Sequence, residues 1–277
     1  MQTSAGQARS LTVFVEGIGL LGPGLDSWPQ GRERLSGATP YLSARCALPL
    51  PAALPAAERR RAGAVIRISL AVGREAVAAS GMDAVALPSV FTSSSGDAIN
   101  CHEICSALAS SDRLISPTRF HNSVHNASSG YWSISSGSMA SSSVLCARDG
   151  SFAAGLLEAM AQVAIEQAAV LLVAYDTDYP EPLRSVRPLP DSFGIALVLS
   201  PRRSERSLAR WTLEPASFFT SAAAERLADD ALEQVRKSIP AARCLPLLRS
   251  VAMQSSGVVV LDYLEELQLA VQVLPCP

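Results

Sequence analysis

The stretch Ser142–Tyr175, SSVLCARDGSFAAGLLEAMAQVAIEQAAVLLVAY, contains two β-rich runs on either side of an amphipathic run. Ser142–Ala147 is short and β-like, and Ala169–Tyr175 is apolar throughout, as in a strand buried on both faces. Between them, Phe152–Ala168 carries apolar residues at helical spacing. The stretch therefore predicts a strand, a helix and a second strand, with a tight connection before the helix.

The segments on either side continue this alternation. Leu11–Glu16 is β-rich and leads into a run of glycines. Glu58–Ser80 has helical spacing and is followed by Gly81, a typical C-cap residue. The pattern predicts further strands and helices, at Leu87–Phe91, Ala98–Ala109, Phe193–Leu199, Arg210–Glu214, Ala222–Lys237 (capped by Thr220 or Ser221), Val258–Leu261 and Leu267–Val273. Such alternation predicts a layered α/β sheet.

Composition narrows the class of protein. The 277 residues are 48% apolar and 17% charged, which is typical of a globular chain. The 23 basic and 25 acidic residues give a formal charge of −2, so we expect no nucleic-acid partner. No apolar run reaches the roughly 20 residues that span a bilayer, and no secretory signal precedes the first strand, so we expect a cytoplasmic protein. Six cysteines are too sparse for a disulfide scaffold and predict reduced thiols.

Two motifs contain residue types that bind cofactors or metals. Gly17–Gly22, GIGLLG, matches the dinucleotide fingerprint, but Pro23 and Gly24 follow where that fingerprint needs a helix. We interpret it as a structural turn. Cys101–Cys105, CHEIC, lacks the further ligands that zinc requires, so we expect inward-packed thiols there. The sequence predicts neither a cofactor nor a metal.

Nucleophilic chemistry has one candidate residue. Cys146 is the thiol between a predicted strand and a predicted helix, a position in which a thiol can act as a nucleophile. His121 and His125 lie in residues 116–130, a polar segment in which we predict a loop. No Gly-x-Ser-x-Gly elbow of a serine hydrolase is present. One interpretation is therefore a thioester-handling acyltransferase or decarboxylase that uses Cys146 with His121 or His125.

Taken together, these segments resemble the N-terminal half of β-ketoacyl synthases, the thiolase-like condensing enzymes of fatty acid and polyketide synthesis. The resemblance extends from Val13 to about Pro215 and rests on the order of VEGIGLLGPG, RISLAVGREAVAASG, VFTSSSG, residues 116–162, AAVLLVAYD and RPLPDSFGIALVLS. It implies a thiolase-like fold of layered sheet and helices with a strongly reduced C-terminal half. Residues 1–215 would be the ketosynthase-like domain, and residues 216–277 would complete the same domain.

The resemblance also implies where catalytic residues would stand. The family's nucleophilic cysteine corresponds to Asp149, and Cys146 lies three residues too early. A carboxylate is a poor nucleophile and would form an unstable mixed anhydride with an acyl group. The synthases carry their catalytic histidines in the C-terminal half, whereas His102, His121 and His125 all lie in the first half here. No residue is therefore expected to be catalytic, and Asp149 is expected to be a structural carboxylate that favours the positive end of the helix dipole.

The stretches FHNSVHNASSGYWSI, CARDGSFAAGLLEA and VVVLDYLEELQLAVQVLPC resemble most closely the shortened chain length factors of aryl polyene and xanthomonadin-type pigment synthesis. Such a subunit implies two partners, a full-length β-ketoacyl synthase in a heterodimer and, through the complex, an acyl carrier protein. A stand-alone relic of the fold is the alternative.

The same resemblance implies an interface. The edge strand Ser142–Ala147 would pair with the partner, and Ser116–Trp132 would reach the partner's acyl tunnel. The residues expected to face the partner or its tunnel are Phe120, His121, His125, Asn126, Ala127, Trp132, Ser142, Val144 and Cys146.

Overall fold

The computed structural model describes residues 10–214, 217 and 219–276. Within these residues, nine strands form one mixed sheet. In chain order the strands are β1 (Leu11–Leu21), β2 (Ser89–Thr92), β3 (Ser142–Leu145), β4 (Val170–Asp176), β5 (Phe193–Ser200), β6 (Ala209–Leu213), β7 (Phe219–Thr220), β8 (Gly257–Leu261) and β9 (Gln268–Pro275).

Ten helices accompany the sheet in the part of the chain that the structure describes. They are α1 (Trp28–Ser36), α2 (Ala56–Arg61), α3 (Ala64–Ser80), α4 (Ala98–Ala109), α5 (Pro117–Asn122), α6 (Ala127–Ser136), α7 (Ser151–Glu166), α8 (Leu183–Val186), α9 (Asp230–Ser238) and α10 (Leu245–Ala252). Short 3-10 turns lie at Ala84–Ala86, Arg148–Gly150 and Pro240–Cys244. None of the helices in these described residues is long and apolar enough to cross a membrane.

The strand order is β3-β2-β4-β5-β1-β6-β9-β7, with β8 paired to β9 as well. The pairs β2–β3 and β2–β4 are parallel, and the other pairs are antiparallel. The first half of β1 pairs with β6, so the last strands extend the same sheet. This topology confirms the predicted α/β sheet. The domain boundary predicted between residues 215 and 216 lies outside the described residues.

Helices cover both faces of the sheet, so its central strands are buried on both sides. In β4, Leu172 belongs to the core that includes α7, whereas Leu171 and Val173 belong to the core that includes α3. Every residue of β4 and β5 is buried. Burial on both faces explains why these strands are apolar throughout in the sequence.

The glycines of the GIGLLG stretch lie almost entirely inside β1, and the prediction of a turn there is wrong. A β-carbon on Gly17 would overlap the carbonyl oxygen of Ala76, and one on Gly19 would overlap that of Val72, both in α3. The glycines therefore let α3 pack close against the sheet. The chain turns only after Leu21.

The loop predicted at residues 116–130 is also wrong, because most of it belongs to α5 and α6. Contacts distant in sequence hold these short polar helices. The amide of Asn122 donates to the carbonyl oxygen of Arg61 at 2.9 Å, and the ring of Trp132 packs against Gly73 of α3. Such contacts leave no periodic pattern in the sequence.

Two other helix predictions need correction. Residues 58–80 form two helices, because the chain leaves the helical conformation at Ala62 and Gly63. The helix predicted at residues 222–237 begins only at Asp230. Asp229 caps it by accepting from two backbone N–H groups of its first turn, so neither Thr220 nor Ser221 is the cap.

Candidate functional site

Residues 146–150 join β3 to α7 in a tight connection that we call the elbow. Arg148 has a φ of +49°, which is uncommon for a residue with a β-carbon. Ser151, the first residue of α7, holds the elbow from inside the fold. Its Oγ accepts from the N–H of Ala147 at 3.0 Å and lies 3.2 Å from the carbonyl oxygen of Ser93. These bonds give the elbow one defined conformation at the start of a helix.

The loop between β8 and β9 lies against the elbow. A β-carbon on Gly150 would overlap the carbonyl oxygen of Tyr263, so only glycine permits this approach. The ring of Tyr263 stacks on Phe219, with ring centroids 5.6 Å apart. A groove of about 440 Å³ beside this contact is lined by elbow residues, Arg243 and Asp262. Residues 219–276, which we call the C-terminal segment, therefore cover one side of the elbow.

Both carboxylate oxygens of Asp149 are held by arginines. Arg187 donates from Nη2 to Oδ1 at 2.6 Å, and Nη2 of Arg243 lies 3.3 Å from Oδ2. The Asp149 side chain is 47% exposed, so solvent partly screens both ion pairs. Within the described residues no N–H of α7 donates to this carboxylate, so its partners are the arginines and not the helix amides. The sequence does not distinguish Arg187 and Arg243 from the other arginines.

The ion pair with Arg243 continues into a network in the C-terminal segment. Arg243 lies 3.9 Å from Asp262, which also accepts a hydrogen bond from Arg236. Arg236 donates twice to Glu233, each time at 2.8 Å. These bonds from Arg236 lower the pKa of Glu233 from its usual 4.5 to about 2. The network ties the elbow to α9 and to the loop between β8 and β9.

Cys146 is exposed, and its thiol donates to the carbonyl oxygen of Ser94 at 3.1 Å. Nε2 of His125 lies 3.4 Å from the carbonyl oxygen of Leu145, and His121 is exposed on α5. Across residues 10–214, 217 and 219–276, no hydrogen bond joins either imidazole to the thiol. The structure brings His125 to the end of β3 but does not assemble the thiol–imidazole pair that the enzymatic interpretation needs.

The outer edge of β3 has no partner strand in the described part of the chain. The carbonyl oxygens of Ser141 and Leu145 accept from the N–H groups of Ser89 and Ser93, on and just after β2. Because the direction of backbone groups alternates along a strand, the amide and carbonyl of Val144 point away from β2. The same holds for Ser142. The edge therefore presents unpaired backbone groups.

Cys101 and Cys105 are exposed on α4, so the prediction of inward-packed thiols is wrong. The cause is the position of α4, which buries only Ala98 and Asn100. No group of three or more His, Cys, Asp or Glu residues suited to a metal ion is found among the described residues.

The sequence model of the family described as β-ketoacyl synthase, N-terminal domain, matches residues 34–257. The chain belongs to this family. No curated protein sequence matches it significantly.

Solved structures of ketosynthase assemblies share the fold of this family member. A ketosynthase (ApeO) in complex with its chain length factor (ApeC) from Xenorhabdus doucetiae is 22% identical, with a TM-score of 0.70 over 94% of this chain and 99% of that one. The ishigamide ketosynthase/chain length factor is 10% identical, with a TM-score of 0.70 over 96% and 99%. The AntDE:AntF complex of a ketosynthase and an acyl-carrier protein is 12% identical, with a TM-score of 0.72 over 96% and 99%. The predicted thiolase-like fold is confirmed.

Exposed apolar side chains lie on the segments of this ketosynthase-family chain that lead to the two ends of β3. Phe120 is 67% exposed and Val124 is 52% exposed, on the segment that brings His125 to β3. Met139, just before β3, is 95% exposed. Scattered exposed apolar residues are ordinary, but a group beside an unpaired strand is typical of an interaction site.

Most of the residues predicted to face a partner lie at the surface or partly so: Phe120, His121, His125, Asn126, Ser142, Val144 and Cys146. Trp132 and Ala127 do not, since they are only 2% and 9% exposed. Both lie on α6, which packs against α3, and a β-carbon on Gly73 would come within 2.8 Å of the Trp132 ring. Both side chains therefore pack inside this chain, which disagrees with the prediction that they face the partner or its tunnel.

Proposed function

We propose that this chain is a catalytically inactive chain length factor that pairs with an active β-ketoacyl synthase. The proposal rests on the identity of residue 149, an aspartate, and on its ion pairs. By its resemblance to the family, Asp149 stands at the position of the nucleophilic cysteine, and Arg187 and Arg243 occupy both of its oxygens. A carboxylate in this position cannot exchange acyl groups between thioesters as a thiolate does.

The groups around Asp149 also support the absence of catalysis. Among the described residues no histidine hydrogen-bonds to it, and its two ion-pair partners are arginines. Arginine keeps its proton at neutral pH and cannot serve as a general base. The position of the family's nucleophile therefore has neither a thiol nor a hydrogen-bonded base for decarboxylation or condensation.

The proposed partner binds along the outer edge of β3. A strand of the ketosynthase would pair with the outward backbone groups of Ser142 and Val144, and Phe120, Val124 and Met139 would lose their exposure on binding. A lasting subunit interface typically buries about 2,000 Å² or more, which an edge strand with neighbouring apolar side chains can provide. Two of the similar solved structures contain a ketosynthase with a chain length factor, which agrees with such a pair.

The proposed role of the subunit is to limit the length of the acyl chain in the partner's tunnel. Phe120 is the side chain best suited to this role, because it is large, apolar and exposed on α5, the helix that precedes His125 at the end of β3. The aryl polyene product class rests on the resemblance of three stretches, FHNSVHNASSGYWSI, the elbow with the start of α7, and the C-terminal stretch, to that group of factors. An acyl carrier protein would deliver substrate to the complex.

The experiment that tests the proposal compares three samples: the purified chain, the active ketosynthase, and their complex formed by co-expression. Each is assayed for decarboxylation and condensation of a malonyl unit on a carrier protein. We expect no turnover by the chain alone and chain-length-limited products from the complex. Turnover by the chain alone that Cys146→Ala abolishes would instead support the acyltransferase or decarboxylase.

A further inference from the structure

Asp176, the last residue of β4, is a carboxylate buried inside the fold and only 2% exposed. Its Oδ1 accepts from the backbone N–H of Ser94 at 2.9 Å and from the hydroxyl of Ser94 at 2.6 Å. Its Oδ2 accepts from the backbone N–H of Ala241 at 2.8 Å. One side chain thus joins the loop after β2 to the 3-10 turn Pro240–Cys244.

These two segments hold the two ends of the elbow. The carbonyl oxygen of Ser94 accepts from the thiol of Cys146 at 3.1 Å, at the start of the elbow. Arg243, on the same 3-10 turn as Ala241, pairs with Asp149 at 3.3 Å, near its end. The contacts form a closed ring around the elbow, in which Asp176 is the link between the two anchoring segments.

We propose that Asp176 is a positioning residue that fixes the two anchors of the elbow relative to each other. It acts on Cys146 through Ser94 and on Asp149 through the turn that carries Arg243. The proposal does not depend on the proposed function, because every contact in the ring lies within one chain.

The geometry explains why a carboxylate stands here. The two backbone N–H groups approach different oxygens, so the position needs two acceptors. Asparagine has one acceptor oxygen, and its NH₂ group would face one of the two donors. Burial raises the pKa of Asp176 to about 6, and the hydrogen bonds from Ser94 and Ala241 offset only part of that effect.

Tyr179 reinforces the same link from the loop after β4. Its hydroxyl donates to Oγ of Ser95 at 2.7 Å and lies 3.3 Å from Oγ of Ser94. The guanidinium of Arg187, the second partner of Asp149, lies 6.0 Å from the centre of the Tyr179 ring. Tyr179 therefore also connects Ser94 with the arginine that pairs with Asp149.

The test compares Asp176→Asn with Asp191→Asn in the full chain. Asp191 is a matched control, since it is 7% exposed and accepts from the backbone N–H groups of Cys46 and Ser192 but bonds to neither anchor. The readout is the rate at which iodoacetamide alkylates Cys146, followed by peptide mass spectrometry. Exposed Cys105 provides a reference rate. Far-UV circular dichroism and a cooperative thermal transition show that each variant is folded, because buried Cys244 lies on the anchoring turn itself and could react when that turn loosens.

A thiol must leave its carbonyl acceptor and lose its proton before it reacts, because the thiolate is the nucleophile. We expect Asp176→Asn to accelerate alkylation of Cys146 about tenfold, since a buried donor left unpaired shifts a local equilibrium by roughly that factor. Asp191→Asn should leave the rate within about twofold of wild type.

Ser94→Ala provides a second, milder variant if Asp176→Asn does not fold. It removes the 2.6 Å hydroxyl bond and keeps the backbone N–H bond, so we expect a smaller acceleration at Cys146. An unchanged Cys146 rate in the folded variants, together with a lower melting temperature, would overturn the proposal and leave Asp176 as a buried group that stabilises the fold alone.

Discussion

Nη2 of Arg187 donates to Oδ1 of Asp149 at 2.6 Å, between residues that lie 38 positions apart in the chain. With Arg243 on the other oxygen, the pair forms an ion cluster at the strand-to-helix elbow. The cluster connects the loop after β4 with the C-terminal segment through the elbow.

Asp149→Asn should lower the free energy of unfolding by about 1 kcal/mol, because it keeps the volume and removes two partly exposed ion pairs. The loss should shrink at high salt, which screens such pairs. Urea unfolding at low and high ionic strength measures both effects. Glu265→Gln is the control variant, because it neutralises an exposed carboxylate that lines the same groove. An equal loss in the two variants would contradict the role assigned to the arginines.

Gly150→Ala should destabilise the protein by about 1–3 kcal/mol, because the new methyl group overlaps the carbonyl oxygen of Tyr263 and displaces the β8–β9 loop. Gly130→Ala in α6 is the control, since a β-carbon there meets no atom within 4 Å. That variant should be neutral or gain up to about 1 kcal/mol of helix propensity. Thermal unfolding of both decides the matter, and equal destabilisation would rule out a close approach at Gly150.

Val144→Pro should release the ketosynthase while the chain stays folded, because it removes an amide that points away from β2. Leu145→Pro is the matched control, since the backbone of Leu145 faces β2. It should cost about 3 kcal/mol or more of stability. Gel filtration of co-expressed complexes and melting of each subunit measure the two effects. A complex that survives Val144→Pro would place the interface elsewhere.

Phe120→Ala should lengthen the products of the complex and leave the stability of the subunit within about 0.5 kcal/mol, because the side chain is exposed. Trp132→Ala removes a buried ring and should cost about 3–5 kcal/mol. Chromatography of the products, on complexes shown to be assembled, gives the length distribution. An unchanged distribution with Phe120→Ala and with a larger exposed residue at Val124 would mean that the subunit stabilises its partner without limiting chain length.

Glu233→Gln should destabilise the protein in a pH-dependent way. The folded pKa of about 2 lies below the usual 4.5, so the carboxylate stabilises the fold above pH 4.5 and loses this contribution as the pH falls toward 2. Replacing the carboxylate also leaves the positive charge of Arg236, whose side chain is 6% exposed, without the negative partner to which it donates twice. We expect this to cost about 3 kcal/mol of stability near neutral pH. Urea unfolding from pH 7 to pH 3 should show the gap to wild type narrowing. A gap that does not change with pH would exclude the ion pair as its cause.

The sequence predicts the elements that the sheet buries on both faces. The strand at Ala169–Tyr175 and the helix at Phe152–Ala168 agree closely with β4 and α7, because burial of these elements leaves continuous or periodic apolar runs. The glycines of β1, in contrast, are not predicted correctly from the sequence. Their role is to admit α3, and contact with a distant helix cannot be distinguished from a turn in a single sequence.

The candidate site is predictable only in part. The elbow and its edge strand follow from the pattern around Cys146 and Asp149. The ion pairs of Asp149 do not, because Arg187 and Arg243 come from segments that approach only after folding. Asp176 leaves a weak signal, since it is a charged residue directly at the end of an apolar strand.

The assignment of a catalytically inactive partner subunit is tested most directly by the malonyl decarboxylation and condensation assay on the complex with Cys146→Ala and, separately, Asp149→Cys in this chain. We predict full turnover by the complex with Cys146→Ala. The isolated chain should show no turnover either as wild type or with Asp149→Cys, since no histidine among the described residues hydrogen-bonds to Cys146 or to Asp149. Turnover by the isolated wild-type chain, abolished by Cys146→Ala, would contradict the assignment and make this chain an enzyme in its own right.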